Sequence, residues 1–209
     1  MDNQFIVATA NLLNFALPNR VFYKNTEPYS DRQYQQKIHA LAPLFRQLKA
    51  DIVGCQEVWD EQAVMALCQA AQMQDYHVAF PLASNEANSP LTHGQGATGT
   101  PAVGLISRFE IISTTLLTQV PPKALLEIPD MGVYQQFNRP PLLAEVRLPN
   151  GMIMTVIVAH LKSKRPQFWE NAQGEPLEDK NDPLVRVRAK LRSLCMRAAE
   201  AAGIRQVVI

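Results

Sequence analysis

The order of two hydrophobic periodicities constrains this chain more than any other feature. Short apolar, partly β-branched runs recur at Phe5 to Ala10, Ile52 to Cys55, Tyr76 to Phe80, Ala102 to Ser107, Glu110 to Thr118, Leu142 to Leu148 and Met152 to Ala159, and each reads as a strand. Helical spacing appears between them. Ile38, Leu41, Phe45 and Leu48 recur within Asp31 to Lys49, and Val64, Leu67 and Ala71 follow Asp60, a candidate N-cap. Pro43 interrupts the first helical pattern and predicts a kink or a late start. Pro183 to Ala202 reads as a third helix with proline in its first turn. Gly203 would close that helix, and Ile204 to Ile209 reads as a last buried strand. The order is strand, helix, strand, helix, several strands, then helix and strand. It predicts a mixed α/β fold with hairpins rather than a regular βαβ repeat. A tight turn at Arg108–Phe109 and a "PNG" hairpin signal before Met152 join pairs of strands. Asn11 to Ser30, Val120 to Asn138 and His160 to Asp182 read as irregular, and Ser84 to Thr100 as an exposed polar loop.

The chain has 209 residues, 47% apolar and 19% charged, which suits a single globular domain over 1–209. A net charge of +1 excludes a polycation, so any attraction for phosphate must come from local clusters. No apolar run approaches the roughly 20 residues of a membrane span. "MDNQFIVATANLL" carries acidic Asp2 and no basic n-region, so it does not read as a signal peptide, and a cytoplasmic location is expected. Cys55, Cys68 and Cys195 form no C-x-x-C pair and read as buried, reduced thiols.

Strand ends hold the chemistry. "GQGATG" at Gly94 to Gly99 matches the spacing of a dinucleotide loop, but no strand precedes it and no helix follows, so it reads as plain loop. "ADIVGCQEVWD" ends a buried strand at Gln56–Glu57. A carboxylate there suits Mg²⁺, which often takes one or two protein carboxylates and fills its other positions with water and phosphate. A solvated glutamate or a local ion pair is the plainer alternative. "FIVATANLLNF" ends in Asn11, whose amide can ligate a metal, orient a carboxylate or simply make a turn. "MTVIVAHLKSKRP" ends a strand at His160, with Lys162, Lys164 and Arg165 next. The histidine can donate to a phosphoryl oxygen beside favourable cations, or it is a structural histidine before a solvated basic loop. Arg139 in "FNRPPL" can bind phosphate bidentately or pair with an acid.

"TANLLNF", "DIVGCQE", "AVGLISRFEI", "NRPPL" and "VIVAHLKSK", in this order, resemble the endonuclease/exonuclease/phosphatase superfamily, the deoxyribonuclease-I-like metal-dependent phosphoesterases. The resemblance implies a four-layer α/β sandwich, two packed mixed sheets flanked by helices, with the site at strand ends along one edge. It implies Glu57 as the Mg²⁺ (or Mn²⁺) ligand, with Asn11 close to the metal, and His160 bonded to the scissile phosphate. It further implies Arg139, Lys162 and Lys164 as phosphate-binding residues. The "HLKSK" loop is similar to bacterial nuclease-type members, which favours a phosphodiester substrate in nucleic acid. A phospholipid or inositol-phosphate substrate is the alternative within the family, and a non-catalytic binding module of the same fold is the alternative outside enzymes. The resemblance also implies that a strand such as "RQVVI" leads into a Gly-Asp-x-Asn motif, with an Asp-His pair beyond. The 209 residues contain neither, so the chain is expected to lack C-terminal strands and to be inactive alone.

Overall fold

The computed structural model describes residues 4–21, 26–81, 101–171 and 174–208. In chain order the elements begin β1 (Val7–Phe15), α1 (Asp31–Leu48), β2 (Ile52–Val58), α2 (Glu61–Ala70), β3 (His77–Ala79), β4 (Ala102–Ser107) and β5 (Glu110–Leu116). They continue with a 3-10 turn at Pro122–Ala124, β6 (Leu126–Ile128), β7 (Gly132–Tyr134), β8 (Leu142–Arg147), β9 (Ile153–Val158) and α3 (Pro183–Val208). The expected loop Ser84 to Thr100, with its "GQGATG", lies outside the described residues. The chain divides into two compact units, Met1–Leu116 with Pro141–His160, and Leu117–Pro140 with Leu161–Ile209.

The first unit is a layered α/β structure. Strands in the order β1-β2-β4-β3 form a mixed sheet, with β1 and β2 parallel and the rest antiparallel. Strands β5-β8-β9 form a second, antiparallel sheet. Alternation along each strand sorts its side chains. Val53 and Cys55 of β2 join Ile38 and Phe45 of α1 and Val64 and Leu67 of α2 in one core. Ile52 of β2 and Leu105 of β4 join Leu142, Ala144, Val146 and Val158 of the second sheet in another. Helices therefore cover one face of the mixed sheet and the second sheet covers the other. Each fully buried Leu, Ile or Phe contributes roughly 1.5–3 kcal/mol to this packing.

The turn at Arg108–Phe109 does not make a hairpin, because β4 and β5 pair in different sheets. Ser107 holds this corner: its hydroxyl accepts from Phe109 N–H at 3.0 Å and donates to Phe109 C=O at 2.8 Å. Helix α1 starts with a capping box, in which Ser30 and Gln33 satisfy each other's backbone N–H groups. It runs on through Pro43, which neither starts nor ends it. Tyr34, Ile38, Ala42 and Phe45 are buried on one face, and that packing outweighs the one hydrogen bond proline removes. Asp60 precedes α2 but makes no side-chain cap. Its carboxylate instead accepts from Leu17 N–H at 2.9 Å and pairs with Arg20.

In the second unit, the segment expected to be irregular contains the β6–β7 hairpin. The strand expected at Ile204 to Ile209 is not one: α3 continues through Gly203 to Val208. Gly203 is buried and acts as a packing residue, since a Cβ there would stand 3.0 Å from the Phe137 ring and 3.2 Å from Pro121. Ile204 packs with Val120, Ala124 and Phe137. Continued as helix, this stretch donates its N–H groups to carbonyls one turn back rather than to a neighbouring strand.

Candidate functional site

Three expected site residues come together in the first unit. Strand β1 runs past Asn11, where a loop was expected, and the pairing with β2 is interrupted there. Asn11 pairs with Gln56 and Phe15 with Val58, leaving Leu12, Leu13 and Asn14 opposite Glu57 alone. Against β4, Gln56 pairs with Val103 and Val58 with Ala102, so Glu57 is extra on that side too. Leu13, Asn14 and Glu57 take left-handed φ values of 50°, 54° and 56°. For residues other than glycine this conformation costs on the order of 1–3 kcal/mol and concentrates at working sites. It has a clear effect on side-chain direction. Val58 joins the helix-side core that also holds Val53 and Cys55, although it lies three positions beyond Cys55, an odd spacing that would put it on the other face of a regular strand. The extra residue, Glu57, is turned out of that core at the end of the strand.

Asn11 donates from Nδ2 to Glu57 Oε1 at 2.9 Å, while its Oδ1 accepts from Leu13 N–H at 2.9 Å. Turning the amide over would set donor against donor and oxygen against carboxylate, so both contacts require this orientation. Asn11 therefore orients the carboxylate through its nitrogen, and its oxygen is spent on the bulge. His160, two residues past β9, brings Nε2 to 3.8 Å from Glu57 Oε1, with the two side chains 19% and 21% exposed. That separation is an electrostatic contact rather than a hydrogen bond. Lys37 and Tyr29 both donate to the Leu13 carbonyl and fasten the bulge from α1 and the loop before it.

The donor set fits Mg²⁺ in one form only. Among the described residues no group of three His, Cys, Asp or Glu could hold a metal ion. At this strand end Glu57 supplies the carboxylate, and both contacts from Asn11 and His160 are to its Oε1. A hard cation held by one carboxylate, with water and phosphate on its remaining positions, suits this arrangement.

The other expected residues lie in the second unit. Arg139 donates from Nη2 to Leu161 C=O at 2.6 Å. Lys162, expected in a solvated basic loop, is only 8% exposed, whereas Lys164 is exposed. Burial, and then the nearby Arg139, holds the Lys162 ammonium below the usual lysine range. Sequence reasoning missed Glu200, which is 1% exposed. Its Oε1 accepts from Tyr134 Oη at 2.8 Å and from Asn138 N–H at 2.9 Å, and its Oε2 accepts from Lys162 N–H at 2.6 Å. The signal was present: Glu200 falls at helical spacing on the face of α3 that buries Ala189, Met196 and Gly203, where a lone carboxylate needs partners.

No family model matches this sequence, and no curated protein matches it. Several solved structures are similar to it. An endonuclease/exonuclease/phosphatase family protein from Leptotrichia buccalis is 14% identical, with 74% of this chain and 53% of that one covered and a TM-score of 0.42. ANGEL2, a 2',3'-cyclic phosphatase, is 11% identical over 78% of this chain and 42% of its own, with a TM-score of 0.43. A β-hairpin deletion mutant of Staphylococcus aureus beta toxin is 18% identical over 78% and 52%, with a TM-score of 0.41. The chain thus spans about half the length of these structures. No described helix is long and apolar enough to cross a membrane.

Proposed function

We propose that this chain carries part of a metal-dependent phosphoesterase that hydrolyses phosphodiesters, with nucleic acid as the favoured substrate. The observation that carries the reading is the strained, doubly unpaired Glu57, held by Asn11 and faced by His160 at the ends of β1, β2 and β9. In this reading Glu57 would hold Mg²⁺ or Mn²⁺, and Asn11 would keep the carboxylate aimed. Such a cation neutralises charge developing on phosphoryl oxygens. His160 donates an N–H to one of those oxygens. None of the three is assigned as the base that activates water. Exposed Lys164, at the end of the "HLKSK" stretch, and Arg165 after it support a polyanionic substrate.

Mn²⁺ titration of the ¹⁵N-labelled chain tests the reading. Paramagnetic broadening is expected at Asn11, Glu57 and His160, and is expected to vanish in Glu57→Gln. Broadening elsewhere, or equal broadening in the variant, would remove the basis for the proposal.

A further inference from the structure

Leu13 sits at the bulge in a conformation that its own side chain does not explain. Its φ is 50°, in the left-handed region, and its side chain is 66% exposed. Its main chain, by contrast, is held on both sides. The N–H donates to Asn11 Oδ1 at 2.9 Å, and the C=O accepts from Lys37 Nζ and from Tyr29 Oη, the latter at 3.3 Å. The pairing of β1 with β2 is interrupted between Asn11 and Phe15, so the ladder does not hold this stretch. Leu12 and Phe15 anchor it by burial, and Lys37 and Tyr29 anchor the backbone between them.

The Lys37 ammonium is itself held in place. It donates to Tyr29 Oη at 3.0 Å and lies 4.8 Å from the centre of the Tyr29 ring and 5.8 Å from that of Phe15. Aromatic faces attract a cation, and a bond from an ammonium to a carbonyl is stronger than one between neutral groups. A continuous chain of contacts then runs from α1 to the strand end: Lys37 Nζ to Leu13 C=O, Leu13 N–H to Asn11 Oδ1, and Asn11 Nδ2 to Glu57 Oε1. Each link fixes the next. Leu13, pinned in the left-handed region, aims its N–H at Oδ1, and that bond selects the amide orientation that offers nitrogen to Glu57.

We propose that Lys37, assisted by Tyr29, is a positioning residue for the Glu57 carboxylate. It holds the bulge through the Leu13 carbonyl and so fixes the amide that aims Glu57. The functional consequence, tighter binding of a divalent cation, rests on the reading of Glu57 as a metal ligand. Lys37 acts through Leu13 and Asn11 rather than on the carboxylate or the cation.

The sign of one mutational effect separates this role from two others. A lysine that acts only through its charge repels a divalent cation, so its removal would tighten metal binding. A lysine that only fastens α1 lowers stability on removal and leaves metal affinity unchanged. Removal of a positioning lysine weakens metal binding. The experiment compares wild type, Lys37→Met and Lys37→Arg by ¹⁵N NMR, first without metal and then in titration with Mn²⁺. Lys37→Met keeps most of the apolar stem and loses the donor, and Lys37→Arg keeps a cationic donor. Without metal, Lys37→Met is expected to shift the Asn11 side-chain amide signals and to speed hydrogen exchange at the Leu13 N–H about fivefold, the worth of one hydrogen bond. With Mn²⁺, broadening at Glu57 is expected to require about fivefold more metal. Lys37→Arg is expected to restore both. Unchanged Asn11 and Leu13 signals in folded Lys37→Met overturn the proposal whether or not the chain binds metal. Equal or tighter Mn²⁺ binding by that variant overturns it as well. No broadening in wild type overturns the metal reading of Glu57 instead, and the signals without metal then decide the role of Lys37. If Lys37→Met does not fold, Tyr29→Phe, which removes a second donor to the Leu13 carbonyl, carries the test with an expected loss of about twofold. No loss there overturns the proposal equally.

Discussion

Asn11 Nδ2 stands 2.9 Å from Glu57 Oε1, tying the interrupted end of β1 to the bulged end of β2. The bond joins a neutral amide to a carboxylate, and replacing the amide by an acid reverses its sign. Asn11→Asp would set two carboxylates against each other and raise the folded-state pKa of one of them. A carboxyl raised in the folded state stabilises below its unfolded value near 4 and loses that contribution as pH rises. The variant is therefore expected to match wild type near pH 3–4 and to fall behind by on the order of 1–2 kcal/mol at pH 7. Thermal midpoints across pH check it, and a constant difference would contradict the geometry.

Glu57 makes a test of strain. At φ 56° a side chain costs free energy that glycine does not incur. Glu57→Gly should exceed Glu57→Ala in stability by about 1 kcal/mol, although alanine is favoured over glycine in most settings. Urea denaturation of the two variants measures this difference.

Buried Arg192 pairs with partly exposed Glu178 in the second unit. Arg192 is 2% exposed and grips both carboxylate oxygens of Glu178, with Nη1 to Oε2 at 2.9 Å, and it also donates to Gln167 C=O at 2.6 Å. The Arg192 hydrogen bonds hold the Glu178 carboxyl below its ordinary range. Its contribution is present above the unfolded carboxylate pKa and disappears as pH falls through the depressed folded value. Glu178→Ala would strand a buried guanidinium and is expected to cost about 3 kcal/mol, read by denaturant unfolding at pH 7. The same variant should show less acid sensitivity than wild type.

Burial pushes the Cys55 thiol up to about 12, with Cys68 adding to the effect, and the Cys68 thiol up to about 11. Burial and the Glu200 carboxylate also raise Tyr134. Groups raised in the folded state stabilise fully below their unfolded pKa and lose that contribution above it. Stability is expected to decline from about pH 9 onward, as the unfolded thiols begin to ionise first. Iodoacetamide at pH 8 should label half-exposed Cys195 well before Cys55 or Cys68, and mass spectrometry of the labelled peptides would reveal any other order.

The alternation of strand and helix, and the clustering of Asn11, Glu57 and His160 at strand ends, were legible because periodicity reports which faces are buried. Sequence marked the corner at Arg108–Phe109 as a turn. It did not show that β4 and β5 enter different sheets, because a tight turn constrains direction and not partner. It placed a strand at Ile204 to Ile209, where β-branched residues follow a glycine, but α3 continues instead. Gly203 was chosen for the Phe137 ring against it and not for a left-handed cap.

By itself the sequence determined the mixed α/β class, the hairpin before Met152, the residues available for chemistry at the strand ends and the burial of Cys55 and Cys68, whereas Cys195, also expected to be buried, is half-exposed. Those properties follow from local patterns of apolar and polar residues. Only tertiary structure decided that Glu57 stands out of register with both neighbours, that Asn11 offers it nitrogen rather than oxygen, and that Lys162 is buried with Glu200 on its backbone. Those properties depend on which distant segments meet, and contacts across 46 and 38 residues leave no local periodicity to read.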